Sequence, residues 1–77
     1  MVTIRPRDWK QHSRNERSIT VRGRHFFAGR CGFHWRVEEI DQADPNGSKL
    51  VQIVRTCVLT KDLSRIVAVE VMKEPGQ

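Results

Sequence analysis

From Ser18 onward, apolar and polar residues alternate with a period of two, and the apolar positions are filled mainly by Val, Ile, Phe and Trp. Alternation of this kind marks strands that bury one face, and β-branched and aromatic side chains suit a pleated surface. Four strands are expected, at about Ser18 to Ala28, Gly32 to Gln42, Lys49 to Thr60 and Arg65 to Lys73. The connections between them are short, so consecutive strands should pair antiparallel as a meander. The expected fold is mainly β: a small curled antiparallel sheet, or barrel-like meander, of about four strands.

Turn chemistry supports this division. Asp44-Pro45-Asn46-Gly47 places Asp, Pro, Asn and Gly where a type I turn with a left-handed exit uses them. The segment TKDLS, from Thr60, reads as a weaker loop. Residues 49–60 also carry Leu50, Ile53, Val54, Cys57 and Val58 at helical spacing behind Ser48, but Val, Ile and Thr dominate the stretch and favour a strand.

Residues 1–17 form a basic arm ahead of a single β domain at 18–74, and 75–77 form a frayed tail. A short N-terminal helix from about Pro6 to His12 is allowed, since Pro suits a first helical turn and Asp8 favours that end of the helix dipole. Trp9 either folds the arm back onto an open edge of the sheet or stands exposed for stacking, and docking is the favoured reading.

At 77 residues, folding buries only about 60% of the surface of the unfolded chain, which leaves no room for a large enzyme pocket. No stretch approaches the roughly 20 apolar residues of a membrane span, and the first residues lack the apolar run of a signal peptide. The expectation is a cytoplasmic protein with no membrane contact. Cys31 and Cys57 are too few for a disulfide scaffold and read as reduced, core or half-core residues. Cys31-x-x-His34 is the one close pairing of metal-ligand types, whereas a structural zinc site needs two such knuckles, so no metal or other cofactor is expected. Nucleophile elbows, phosphate-binding glycine loops and paired-histidine metal motifs are absent, and no enzymatic activity is expected.

The charge is divided sharply along the chain. Residues 1–36 hold nine cations against two acids, a net of +7, while residues 37–77 hold five cations against seven acids, a net of −2. Eight of the nine N-terminal cations are Arg, whose planar fork suits phosphate or carboxylate and stacks on aromatic rings.

RGRHFFAGRCGFHWR, Arg22 to Arg36, concentrates this character. A three-residue loop at Gly29 to Cys31 would pair Phe27 with Phe33, His25 with Trp35 and Arg24 with Arg36. Val21, His25, Phe27, Phe33, Trp35 and Val37 would then face the core, and Arg22, Arg24, Phe26, His34 and Arg36 would form a basic outer face. A two-residue Gly29-Arg30 loop is also allowed and mixes the faces. The first register is preferred because it keeps the arginines solvated.

These readings point to a small basic nucleic-acid-binding module of a regulatory or accessory kind. Arg5, Arg7, Lys10, Arg14, Arg17, Arg22, Arg24 and Arg36 would contact phosphate, and Phe26 or Trp9 would stack on bases. DNA and RNA are not distinguished. The alternative is a protein-interaction module, an adaptor or inhibitor, whose Arg/aromatic face meets an acidic protein surface or whose sheet edge pairs it as a homodimer. On the simplest reading the arginine face is neutralised by acids such as Glu38 and binds nothing.

Overall fold

The computed structural model describes residues 2–41 and 49–73. Five antiparallel strands follow one another across a single open sheet in the order β1-β2-β3-β4-β5: β1 (Lys10–Ser13), β2 (Glu16–Val21), β3 (Arg24–Cys31), β4 (His34–Asp41) and β5 (Lys49–Val58). One helix, α1 (Leu63–Met72), ends the described chain. The mainly β meander expected from the alternation is present, with β1 and β5 at its edges. The Asp44 to Gly47 turn lies outside the described residues.

Three elements differ from expectation. The long first strand is interrupted by a two-residue turn at Arg22-Gly23, where both residues take positive φ, 52° and 78°, as the tight hairpin turn matching strand twist requires. Of the segment read as a basic arm, only Pro6–Asp8 is helical, as a single 3₁₀ turn. Lys10–Ser13 instead pairs with β2. The expected fourth strand is the helix α1. Val67, Val69 and Val71 imitate a strand's alternation, but Leu63, Ile66, Val67 and Val71 are the residues buried, at a spacing that places them on one side of a helix. The stretch read as the TKDLS loop forms a 3₁₀ turn at Thr60–Asp62 and the start of α1.

The second hairpin turns at Gly32-Phe33, with Cys31 paired to His34 and Gly32 at φ 65°, rather than at Gly29 to Cys31. This corrects the expected register and exchanges the faces of β3, while Trp35 and Val37 keep the core positions expected for them. Ala28 opposes Val37, Arg30 opposes Trp35 and Phe26 opposes Glu39. Phe26, Ala28, Trp35 and Val37 are buried with Ile19 and Val58 beneath α1, while Phe33, expected in the core, is 85% exposed. Placing Arg24 on the core side carries no unpaired charge, because α1 supplies an acceptor there. Arg24 Nη2 lies 2.8 Å from Glu39 and 3.3 Å from Glu70, and its Nη1 donates to the Glu70 carbonyl in the last turn of the helix, a cation at the negative end of the dipole.

Val2, Ile4 and Trp9 cover the rest of this face. Trp9 is docked, its Nε1 donating to Ser64 Oγ on α1 at 3.0 Å. Cys31 and Cys57 are exposed, which corrects their reading as core residues.

Candidate functional site

The cations and aromatics singled out from the sequence do not form one patch. Arg5, Arg7, Lys10, Arg14 and Arg22 are exposed and have no ion-pair partner among the described residues. Arg14 and Arg22 stand at opposite ends of β2, roughly 20 Å or more apart at about 3.3 Å per strand residue. Arg24 is tied into the Glu39 and Glu70 network, and its bonds, with that from Gln52, hold the Glu39 carboxyl below the ordinary carboxylate range. Arg36 pairs with Glu38 at 3.0 Å. Phe26 is 0% exposed and Trp9 is docked, so neither presents a ring to a ligand, which corrects their reading as stacking residues.

A different cluster occupies the end of the sheet that carries the β1–β2 and β3–β4 turns. The Arg14-Asn15 turn is fastened to β3 by the Arg30 amide, which donates to the Asn15 carbonyl at 2.8 Å. Arg30 Nε reaches forward to the Gly32 carbonyl at 3.0 Å, holding the guanidinium at the base of the Gly32-Phe33 turn. Trp35 opposes Arg30 across the hairpin, and the Arg17 guanidinium lies over the Trp35 ring, 4.5 Å from its centre. Trp35 Nε1 donates to Thr60 Oγ1 at 2.8 Å and so fixes the ring that supports Arg17. Arg17 Nε is the buried side-chain polar atom without a hydrogen-bond partner among the described residues.

Arg14, Arg17 and Arg30 have no carboxylate partner among the described residues. At the tip of the β3–β4 hairpin, next in the chain to the Gly32 whose carbonyl Arg30 bonds, stands Phe33. Of the five aromatic side chains in the chain, Trp9, Phe26 and Trp35 are buried and Phe27 is half-buried, which leaves Phe33 as the one projecting ring. His34 follows it, also exposed. An exposed phenyl ring thus stands at the same end of the sheet as these guanidinium groups, on a hairpin turn held by the Arg30 bonds to Asn15 and Gly32.

Arg30 and Phe33 were missed from the sequence because the turn was placed three residues too early. The usable signal was Gly32-Phe33 itself: Gly at the first central position suits a two-residue turn as well as Gly29 does.

The opposite face of the sheet holds two histidines bound to hydroxyls. His12 Nε2 and Ser18 Oγ are 2.7 Å apart, as are His25 Nδ1 and Thr20 Oγ1. Burial, reinforced by the charge of His12, lowers the pKa of His25. His34 and both cysteines line one shallow cavity of about 350 Å³ with Trp35. Among the described residues, no group of three or more His, Cys, Asp or Glu is arranged to hold a metal ion, and no helix is long and apolar enough to cross a membrane.

No family model, curated protein or solved structure matches the chain.

Proposed function

We propose that the protein is a small single-stranded nucleic-acid-binding module, and that its contact surface is the two-turn end of the sheet. Arg14, Arg17 and Arg30 meet phosphates there and Phe33 stacks on a base. The observation that carries this reading is the 85% exposure of Phe33 at the same end of the sheet as arginines that have no carboxylate partner among the described residues. An exposed phenyl ring forgoes about 1.5–3 kcal/mol of burial, while stacking on a base contributes about 1–3 kcal/mol in complexes of this type. Guanidinium groups beside such a ring supply both phosphate contacts and cation–π contacts. A projecting phenyl suits an unpaired base, whose face is open, better than a base already stacked within a duplex.

Fluorescence anisotropy with labelled single-stranded and duplex 12-mers at two salt concentrations tests this. Binding should favour the single strand, weaken with salt and be lost in an Arg14/Arg30→Ala variant that remains folded. Equal binding by that variant would place the site elsewhere.

A further inference from the structure

Trp35 supports more than the Arg17 contact. Two arginines and the turn that carries Lys61 meet around its ring. Arg30 opposes it from β3, the Arg17 guanidinium of β2 lies over it, and its Nε1 donates to Thr60 Oγ1. Lys61 follows Thr60 in the 3₁₀ turn Thr60–Asp62 and is exposed. The indole itself is buried, so it acts as a fixed support on which cationic residues from three separate parts of the chain are placed.

These residues share one side of the sheet. Directly opposed residues of an antiparallel pair lie on the same face. Arg17 opposes the buried Ala28, and Arg30 opposes the buried Trp35. Both arginines therefore belong to the face that packs against α1, at an end where Arg30 is exposed and Arg17 half-buried.

The helix-free face at the same end has a different charge. Glu16 opposes Gly29 there, and Arg36, which opposes Gly29 from the other side, is paired with Glu38 at 3.0 Å. On the α1 side, Arg17, Arg30 and Lys61 have no carboxylate partner among the described residues. The acid next to Lys61, Asp62, is engaged by Arg65 at 3.6 Å. A polyanion leaving Phe33 thus meets carboxylates on one side of the sheet and unpaired cations on the other. A guanidinium already held flat against a ring also loses less freedom on binding an anion than a free one does.

We propose that a bound single strand runs from Phe33 along the α1 side of the sheet, its phosphates passing Arg30 and Arg17 and reaching Lys61. This rests on the nucleic-acid reading above and adds to it the course of the strand and a phosphate contact on the turn that precedes α1.

The test measures the affinity of the whole chain for a labelled 12-nucleotide oligodeoxythymidylate across a series of salt concentrations. Wild type is compared with Arg30→Ala, Lys61→Ala, the double variant and Arg36→Ala, each checked for a native spectrum and melting temperature. Lys61→Ala should lower the slope of log K against log salt by about 0.7, the loss of one phosphate contact on a single strand, and the double variant should lower it by about 1.4. Arg36→Ala, on the helix-free face, should leave the slope unchanged. In a ¹⁵N titration with the same oligonucleotide, amide resonances of residues 60–62 should shift together with those of residues 32 and 33. A slope lowered by Arg30→Ala but not by Lys61→Ala would overturn the course of the strand while leaving the two-turn end as the interface. A slope lowered by Arg36→Ala instead would route the strand over the helix-free face and overturn it in the same way. Absence of wild-type binding at low salt would overturn the nucleic-acid reading itself, and this inference with it.

Discussion

The Arg17 guanidinium packs 4.5 Å above the Trp35 ring, and the same side chain leaves its Nε buried and unbonded. The two facts oppose each other energetically. A cation over indole contributes about 0.5–2 kcal/mol, whereas a buried donor without a partner costs about 1–3 kcal/mol.

Replacement of Arg17 separates these effects. Arg17→Met keeps an unbranched stem over Trp35 and removes the unbonded donor, so unfolding stability should stay within about 1 kcal/mol of wild type. Arg17→Ala uncovers the ring and should cost about 1–2 kcal/mol. Urea denaturation followed by Trp fluorescence distinguishes them, and Met being as damaging as Ala would show that the charge itself holds Trp35 in place.

The two central phenylalanines should divide stability from binding. Phe26→Ala opens a cavity in the core and should cost about 3–5 kcal/mol. Phe33→Ala should leave the midpoint of denaturation nearly unchanged. A large loss of stability in Phe33→Ala would mean that its ring packs against the fold rather than projecting from it.

The tight turn at Arg22-Gly23 carries a correctable strain. Arg22 sits at φ 52°, a left-handed conformation that costs a branched or long L-residue roughly 1–2 kcal/mol and that Asn tolerates better. Arg22→Asn should raise stability by about 0.5–1 kcal/mol. Thermal denaturation checks this, and an unchanged or lowered midpoint would indicate that the Arg22 side chain contributes contacts that outweigh the strain.

Acid should weaken the fold in two windows. Burial lowers the pKa of His25 from its ordinary 6.5, so the unfolded chain takes up a proton first, and stability falls as pH drops below about that value. The bonds from Arg24 lower Glu39 below 4.5. Its contribution is complete above that value and is lost as pH falls through the lower folded value. Denaturation at pH 7.5, 5.5 and 3.5 should show both losses, and His25→Gln, which retains a side-chain partner for Thr20, should remove only the first. A stability independent of pH between 7.5 and 3.5 would contradict both assignments.

Much of the sheet could be read directly from residue pattern. Alternation of Val, Ile and aromatic residues announced an antiparallel meander, and β5 was correctly preferred over a helix at 49–58 because Val, Ile and Thr fill it. Trp9 was correctly expected to fold back. What pattern could not decide was register. Gly29 and Gly32 are equally able to open a turn, and moving the turn exchanged the faces of β3 while Trp35 and Val37 on β4 stayed in the core. The wrong choice followed from treating Arg24 as a charge that must be solvated. That premise fails because α1 brings Glu70 to it, and α1 was itself hidden by the alternating valines at 67, 69 and 71. The error in the helix therefore propagated to the hairpin, and from there to the assignment of Phe26 and Phe33. The N-terminal arginines were correctly noticed as a group, but their separation along and around the sheet is a property of the fold alone.

The most direct measurement is a salt titration of affinity for a labelled single-stranded 12-mer, comparing wild type with Arg30→Ala and Phe33→Ala. Arg30→Ala should reduce the slope of log K against log salt by about 0.7, the loss of one phosphate contact on a single strand. Phe33→Ala should weaken binding by about 1–3 kcal/mol with the slope unchanged. Absence of binding by the wild type at low salt, or affinity and slope unaffected by both substitutions, would contradict the assignment of the two-turn end as a nucleic-acid interface.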